Sequence, residues 1–235
     1  MLKERVYEPS IYTHWGHLIH SLVQKTLTDG NAKENATKLI KTWQRFCKFY
    51  KFCNDEAYWA IPSAIAIRTI NDKLFEKFGK FEVLKTEEKL LLPIEGFLQK
   101  FKGYVDLIIS LPEENKIIIA DIKSCNSTYF FEKYRDKFKD YQLTLYKHFY
   151  CQKHNIDPKT VETYFITIER NRRSKKPVSF VRVTSGPKKV KNALEWIYEA
   201  LGAIDRGTWI KNRANCFKWG DDSPCPFYNT PLCSR

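Results

Sequence analysis

Residues 103–124, with the sequence GYVDLIISLPEENKIIIADIKS, indicate the fold of this chain of 235 residues more directly than any other stretch. Two short apolar segments rich in β-branched residues flank the polar run PEEN, which is the pattern of two strands joined by a turn. Each predicted strand carries one carboxylate, Asp106 in the first and Asp121 in the second. Because side chains alternate along a strand, Asp121 and Lys123 point to one face of the sheet and Ile122 points to the other.

The charged side chains of this hairpin predict a functional site. A hairpin can bring Asp106 beside Asp121 and Lys123. Burying two carboxylates and an ammonium in an apolar sheet is costly unless these groups pair or bind a metal. Mg²⁺ is bound by hard oxygen ligands, which two aspartates, water and phosphate oxygens can supply. We therefore expect a metal-dependent active site at this edge of the sheet.

The chemistry expected of such a site is phosphodiester hydrolysis. A bound metal ion lowers the pKa of a water molecule, orients it and neutralises charge on a phosphoryl group. Lys123 can position or deprotonate that water and stabilise the pentacovalent phosphorus. A histidine from the first predicted helix would add a nitrogen ligand and favour Mn²⁺. The sequence contains no Gly-rich phosphate loop, no G-x-S-x-G elbow and no dinucleotide fingerprint, which argues against redox and acyl-transfer reactions.

The overall composition is that of a globular protein with a polyanionic partner. Hydrophobic residues make up 43% of the chain, and the formal net charge is +13. Such a charge favours binding to nucleic acid, although it can also serve solubility alone. No apolar run approaches the ~20 residues that cross a bilayer, so we expect no membrane association. Because the N-terminus lacks the apolar core of a signal peptide and the seven cysteines have no regular spacing, we expect a protein that is not secreted. Its expected location is the cytoplasm or another intracellular compartment that contains DNA.

Periodicity along the rest of the chain predicts an α/β fold. The predicted helices cover residues 11–28, 35–50, 55–78 with a kink or break near Pro62, 134–154 and 187–201. The predicted strands around the hairpin cover residues 81–92, 96–109, 161–169 and 180–184. We expect one domain with a helical N-terminal region (11–80), a core (81–185) and a C-terminal helix with a cysteine-containing tail (186–235).

Further charged residues have two alternative roles each. Glu87 and Glu88 precede the hairpin, and one of them faces the site from a neighbouring strand unless both are solvated. The basic segments 170–176 and 187–191 are solvated surfaces by default, but they are also natural phosphate contacts in a chain of this charge. Lysines in the first turn of a helix oppose its dipole, which a nearby anion would offset. The candidate nucleic-acid contacts are Arg170, Arg172, Arg173, Lys188 and Lys189.

The tail from residue 215 onwards differs in composition from the chain before it. Cys216, Cys225 and Cys233 are separated by Gly, Asp, Pro and Asn, which form loops. Three cysteines in such a tail predict either metal ligands or buried structural thiols, and their spacing is wider than the C-x2-C of a common zinc site. A fourth metal ligand would come from elsewhere, with Cys53 or Cys47 as the candidates.

Four short motifs occur in order on elements of the expected type. They are Gly16-x-x-x-His20, Gly103-x-x-Asp106, Asp121-x-Lys123 and Gln142-x-x-x-Tyr146. In this order they resemble the motifs of the PD-(D/E)XK nuclease superfamily, and more narrowly those of its RecB and Cas4-like exonuclease branch. The resemblance implies an αβββαβ core, in which a mixed central sheet is flanked by helices.

The resemblance also implies a role for each motif residue. The implied ligands of Mg²⁺ or Mn²⁺ are His20, Asp106, Asp121 and the backbone carbonyl of Ile122. The implied catalytic residue is Lys123, while Gln142 and Tyr146 would orient DNA or the site and Ser124 would touch phosphate. Several members hold a [4Fe-4S] cluster, for which the similar residues here are Cys216, Cys225, Cys233 and Cys53. Their usual upstream cysteine precedes the histidine motif, whereas no cysteine precedes it in this chain, so a zinc-like site is the alternative.

The activity that the resemblance implies is metal-dependent hydrolysis of DNA. Members of this branch act as exonucleases on single strands or ends in recombination, repair or replication, with a helicase or recombination protein as a natural partner. One alternative is a module that binds nucleic acid without cutting it, and the complete set of two aspartates and a lysine argues against this. The other alternative is a nuclease directed to RNA, which differs in its substrate alone.

Overall fold

The computed structural model describes residues 11–49, 59–171 and 173–208. Its helices are α1 (Ile11–Asp29), α2 (Ala32–Phe49), α3 (Ala60–Phe78), α4 (Thr128–Tyr134), α5 (Lys137–His154) and α6 (Pro187–Asp205). Its strands are β1 (Glu82–Pro93), β2 (Lys100–Leu111), β3 (Lys116–Cys125), β4 (Val161–Glu169) and β5 (Val178–Val183). None of the helices within the described residues is long and apolar enough to cross a membrane.

The five strands form one mixed sheet in the order β1-β2-β3-β4-β5. The β1–β2, β2–β3 and β4–β5 pairs are antiparallel, whereas β3 and β4 are parallel. A parallel pair needs a crossover connection, and α5 lies in the segment that carries the chain from the end of β3 back to the start of β4. In this pair Asp121 lies beside Phe165, so the two side chains point to the same face of the sheet.

Helices cover both faces of the sheet. On the face covered by α1–α3, the buried rings of Trp15 and Trp43 lie 4.7 Å apart, and the ring of Trp59 lies 5.1 Å from that of Trp43. On the other face, α5 and α6 pack with Phe149 and Phe165 in a second core. The central strands are therefore buried on both sides, which explains the continuous apolar run KIIIA in β3.

The strand β2 changes faces next to the predicted site. Leu107 points into the core beneath α1–α3, whereas Val105 packs in the core beneath α5. Residues two apart in a regular strand share a face, so the orientation of β2 changes between these two positions. The neighbouring position on β1 is Glu87, a residue other than glycine with a φ of 53°. Asp106 therefore lies at the position on β2 where the side chains change from one face of the sheet to the other.

The predicted α/β fold with a mixed sheet flanked by helices is confirmed, and so are the two strands of the hairpin. The helix predicted over 134–154 is confirmed as α5, which begins three residues later, at Lys137, because the chain turns at Arg135 and Asp136, whereas the short helix α4 was not predicted. Asp136 caps α5 by accepting a hydrogen bond from the backbone N–H of Lys139. Pro62 lies in the first turn of α3, where a missing N–H is tolerated, so it marks the start of the helix and does not kink it. The domain boundaries at residues 80 and 185 stay predictions.

Candidate active site

At the end of the β2–β3 pairing, a hydrogen bond to the Asp106 side chain replaces a backbone hydrogen bond. The antiparallel pairing of these strands ends at Leu107 and Ala120, one position before Asp106 would face Asp121. The Asp106 carboxylate instead accepts a hydrogen bond of 2.7 Å from the backbone N–H of Ile122. Because the N–H and C=O of a strand residue point to the same side, the Ile122 carbonyl also faces this gap between the strands. The bond holds Asp106, which is 9% exposed, beside the end of β3.

Asp121 and Lys123 lie two residues apart on β3 and share the face that α5 covers. The Lys123 Nζ lies 2.7 Å from Asp121 Oδ2. This contact is an ion pair between the Asp121 carboxylate and the Lys123 ammonium. Asp121 is 2% exposed, whereas the side chain of Lys123 is 31% exposed. Each carboxylate oxygen has two lone pairs, so the Asp121 carboxylate can accept a further ligand beside Lys123.

His20 reaches the carboxylates from the opposite layer of the fold. Helix α1 packs beneath the sheet through residues such as Trp15 and Ile19. The His20 Nδ1 then lies 3.4 Å from Asp106 Oδ2. Since β2 changes faces at Asp106, His20 from the α1 layer and Lys123 from the α5 face approach the same pair of carboxylates.

Burial dominates the ionisation of the two carboxylates. It raises the pKa of Asp106 to about 6, although the bond from Ile122 and the charge of Lys123 oppose the rise. Burial also raises the pKa of Asp121 to about 6, opposed by Lys123 and assisted by the charge of Asp106. Two acids so close together titrate as a pair. A bound cation would offset the cost of ionising them, so the raised pKa values mark a place that favours a cation.

At neutral pH His20 is uncharged and Lys123 is positively charged. Burial lowers the pKa of His20, so its imidazole is neutral and has a lone pair for a metal or a hydrogen bond. Burial by itself would lower the pKa of Lys123, but the Asp121 and Asp106 carboxylates outweigh it and raise that pKa. Lys123 is therefore an ammonium, which suits stabilising negative charge and does not suit taking a proton from water.

Gln142 and Tyr146 bring helix α5 to the site. They lie one turn apart, and the Gln142 Nε2 donates a hydrogen bond of 3.0 Å to the Tyr146 hydroxyl. Burial raises the pKa of Tyr146, so the hydroxyl keeps its proton. The Tyr146 ring packs on β2 at Gly103, where an added Cβ would lie 2.6 Å from Tyr146 Cε1. Glycine at this position therefore allows the ring to approach the strand.

Gln24 and Glu87 also lie at the site. The buried Gln24 Nε2 donates hydrogen bonds to Glu87 Oε1 at 2.6 Å and to the backbone carbonyl of Asp106 at 3.0 Å. Glu87 is one of the charges that raise the pKa of Asp106. Glu87 is thus the glutamate of the pair at 87 and 88 that faces the site. No motif identifies Gln24, and the available signal was its spacing of four residues from His20, which puts both on one side of α1.

Two charged residues that were candidates for the site pair elsewhere. Glu88 points to α5, where it forms ion pairs with Lys153 and His154. Lys189 lies 2.8 Å from Asp140, so its place in the first turn of α6 does not require a bound anion.

The remaining candidate contacts lie around the site. Ser124 lies on the opposite face of β3 from Lys123, where a Cβ built on Gly16 would be 3.8 Å from its Oγ. The Arg170 guanidinium lies over the ring of Trp59, 4.5 Å from the ring centre. Two exposed candidates are Arg173 and Lys188, and the half-buried Cys47 packs against the core beneath α1–α3. The candidates that lie outside the described residues are Arg172, Cys53, Cys216, Cys225 and Cys233.

The donor set fits a hard divalent cation that keeps water ligands. Within the described residues, no three His, Cys, Asp or Glu side chains are arranged to enclose a metal ion. Mg²⁺ does not require such a cage, since one or two carboxylates commonly hold it together with water and substrate phosphates. Asp106 and Asp121 supply two buried carboxylates. His20 adds a neutral nitrogen, which Mn²⁺ accepts more readily than Mg²⁺.

The carboxylates lie between the neighbouring strands β2 and β3, just beyond the point where the pairing of these strands ends. A groove of about 1050 Å³ lies elsewhere, between α5, α6 and β5, and residues such as Lys147, Arg182 and Tyr198 line it. None of the carboxylates described above lines this groove.

Comparison with known proteins shows a similarity of fold. No protein-family model matches this chain, and no curated protein matches its sequence. Among solved structures, one from Eubacterium rectale that is named "Putative exonuclease" is similar with a TM-score of 0.53 and 14% identity, over 97% of this chain and 78% of that chain. A second, named SSO0001, gives a TM-score of 0.41 and 16% identity over 98% of this chain and 90% of that chain. This chain therefore has the mixed α/β fold of the Eubacterium rectale protein.

Proposed function

We propose that this chain is a metal-dependent nuclease of the PD-(D/E)XK type, in the RecB and Cas4-like exonuclease branch, which hydrolyses phosphodiester bonds in DNA. The observation that carries the proposal is the meeting of side chains from separate elements at one place. These are His20 from α1, Asp106 from β2, and Asp121 and Lys123 from β3. Burial of two acids beside a lysine has a high cost, and a metal-dependent reaction gives this arrangement a purpose.

Three broader observations support the proposal. The order of α1, β1, β2, β3, α5 and β4 agrees with the αβββαβ core of that superfamily. The net charge of +13 favours a polyanionic substrate. The structural neighbour from Eubacterium rectale carries the word exonuclease in its name.

Mg²⁺ or Mn²⁺ is the cofactor in this proposal. Asp106, Asp121 and the Ile122 carbonyl would hold the ion, with His20 as a nitrogen ligand. When bound, the ion supplies an activated water and neutralises charge on the phosphoryl group. Because burial raises the pKa of both aspartates to about 6, both are ionised above this pH and ready to bind a cation.

The other side chains of the site would stabilise the charge of the phosphoryl group and orient the substrate and the neighbouring strands. Lys123, held 2.7 Å from Asp121, places a positive charge beside the position of the phosphoryl group. Tyr146 accepts a hydrogen bond from Gln142 and keeps its own proton, so its hydroxyl can donate to a phosphate oxygen. Gln24 donates to Glu87 and to the Asp106 carbonyl, which fixes β1 and β2 beside α1.

Cleavage of end-labelled DNA tests the proposal. Linear single strands, linear duplex and covalently closed circles are incubated with Mg²⁺, Mn²⁺ or EDTA. We expect shortened products from linear DNA with either metal and none with EDTA, and closed circles should stay intact if the enzyme starts at ends. RNA of matched sequence in the same assay decides between the two substrates.

Two matched variants assign the cleavage to the site. Asp121→Asn removes one buried carboxylate and should abolish cleavage. Glu88→Gln removes a carboxylate that faces α5 and should leave cleavage unchanged. If Asp121→Asn cleaves like the wild type, or if the wild type leaves every substrate intact with both metals, the proposal is wrong.

A further inference from the structure

Helix α4 exposes aromatic rings that neither core uses. Tyr129, Phe130 and Tyr134 are 62%, 54% and 67% exposed. The rings of Tyr129 and Phe130 lie 5.4 Å apart edge to face, and those of Phe130 and Tyr134 lie 6.1 Å apart and nearly parallel. Exposed apolar groups that adjoin one another commonly mark a binding surface. Three such rings on a helix of seven residues therefore indicate a partner.

The inner side of α4 is anchored to the sheet. The backbone N–H of Thr128 donates a hydrogen bond of 2.6 Å to the Glu169 carboxylate, and the Thr128 hydroxyl lies 2.7 Å from that of Thr167. The Phe131 ring meets the buried Phe165 ring edge on at 5.2 Å. The outer rings are thus displayed on a fixed helix, which lowers the entropy lost when a ligand orders them.

The anchor places α4 on the same face of the sheet as the site. Phe165 lies beside Asp121 in the β3–β4 pair, so Phe131 packs on the face that Asp121 shares with Lys123. From Asp121, β3 continues to Cys125, a distance of about 13 Å at the rise of an extended strand. Helix α4 begins three residues later. A chain that extends from the carboxylates along β3 therefore reaches the exposed rings.

Cations accompany these rings. The Lys133 Nζ lies 5.3 Å from the centre of the Tyr134 ring and 5.8 Å from that of Tyr129. The backbone N–H of Arg170 donates a hydrogen bond of 3.0 Å to the Cys125 carbonyl, so the basic loop after β4 begins beside the end of β3. The described cations exposed in that loop are Arg173, Lys175 and Lys176. Rings for stacking and cations for phosphates are the two parts of a site for single-stranded nucleic acid.

We infer that α4 is a binding surface for single-stranded nucleic acid. Tyr129, Phe130 and Tyr134 stack on bases, and Lys133 contacts the backbone phosphates. The inference rests on the proposed function and specifies the form of its substrate, because bases must be unpaired to stack on the rings. Since every base has a π-face, the surface tolerates any sequence.

Binding of a labelled oligodeoxythymidine of about 20 nucleotides, longer than a typical footprint, tests the inference. Fluorescence anisotropy is measured in EDTA so that the oligonucleotide stays intact, with a duplex of the same length as comparison. Phe130→Ala and Tyr134→Ala should each weaken binding of the single strand by about fivefold or more and change duplex binding little. Phe75→Ala is the matched control, because it removes a ring whose exposure of 62% is intermediate between those of Phe130 and Tyr134, from α3 on the opposite face. This control should bind like the wild type.

The outcomes separate this inference from the proposed function. If the wild type binds and cleaves the oligonucleotide and both ring variants bind it equally well, the inference alone is overturned. If the wild type neither binds nor cleaves nucleic acid, the proposed function fails and the inference fails with it. A third outcome is that sedimentation shows a wild-type dimer that the ring variants do not form, while these variants keep wild-type affinity for the oligonucleotide. The rings then form a contact between copies of this chain, which also overturns the inference.

Discussion

Replacing Gly103 with alanine tests how closely the Tyr146 ring packs on β2. The new Cβ would lie 2.6 Å from Tyr146 Cε1 and 3.2 Å from Phe101 Cε1. Carbon atoms in favourable contact lie about 3.5–4.0 Å apart, so the Tyr146 ring must move by about 1 Å. Gly103 is not among the glycines with a positive φ, so the backbone accepts alanine and the cost is steric.

The expected cost follows from the size of this overlap. Adding a methyl group to a well-packed region typically costs about 1–3 kcal/mol. In a chain of this length, each kcal/mol lowers Tm by about 2–4 °C, so we expect Gly103→Ala to lower Tm by roughly 2–12 °C. The displaced ring also carries the hydroxyl that accepts the hydrogen bond from Gln142. A misplacement of about 1 Å at a site can slow a reaction about 100-fold, so cleavage should fall by that order even where the variant is folded.

Thermal denaturation and DNA cleavage measure these two effects. Gly16→Ala is the matched control, because Gly16 lies inside α1 and its added Cβ would make an ordinary contact of 3.8 Å with Ser124 Oγ. Alanine inside a helix is more favourable than glycine by about 0.5–1 kcal/mol, so this control should raise Tm. In a Tyr146→Ala background, Gly103→Ala should cost little. An equal loss of Tm in both backgrounds would show that a clash with the Tyr146 ring is not the cause of the destabilisation.

Three other predictions concern the charges of the site. Mg²⁺ should raise Tm at about pH 7.5 and have little effect at about pH 5, because pKa values near 6 leave Asp106 and Asp121 largely protonated at the lower pH. An equal rise of Tm at both pH values would contradict this prediction. In EDTA, the stability that these raised pKa values contribute is fully present below about pH 4 and is lost as pH rises through about 6, so Tm of the wild type should fall over that range relative to a variant with asparagine at both positions. Lys123→Ala should slow cleavage by about 100-fold or more, whereas Lys153→Ala, which removes an exposed ion pair, should change stability by less than about 1 kcal/mol and leave the rate unchanged.

The strands and charged pair of the site were predictable because they follow from local periodicity. Alternation in β3 puts Asp121 and Lys123 on one face, and the short hairpin brings β2 beside them. The placement of His20 and Tyr146 rested on the resemblance between motifs, since no local pattern tells which side of α1 or α5 meets the sheet. In the structure His20 Nδ1 lies 3.4 Å from Asp106 Oδ2, and Tyr146 lies near enough to Asp121 and Asp106 for their charges to add to the effect of burial on its pKa.

The features of the site that the sequence does not reveal depend on contacts between residues distant in sequence. The change of face in β2 accompanies a positive φ at Glu87, a residue whose type gives no sign of that conformation. Gln24 joins the site through hydrogen bonds to β1 and β2, 63 and 82 residues away. Helix α4 was not predicted from the sequence, and α5 begins three residues after the predicted start, where Asp136, a residue type preferred at the start of a helix, caps it.

The most direct test of the central claim is the initial rate of single-stranded DNA cleavage with Mn²⁺ or Mg²⁺, compared between the wild type and Asp121→Asn. Circular dichroism and Tm establish that both proteins are folded. The account predicts metal-dependent cleavage by the wild type and a rate at least about a thousandfold lower for the variant, because the variant lacks a carboxylate that holds the metal. Equal rates for the two proteins, or a wild-type rate that EDTA leaves unchanged, would contradict it.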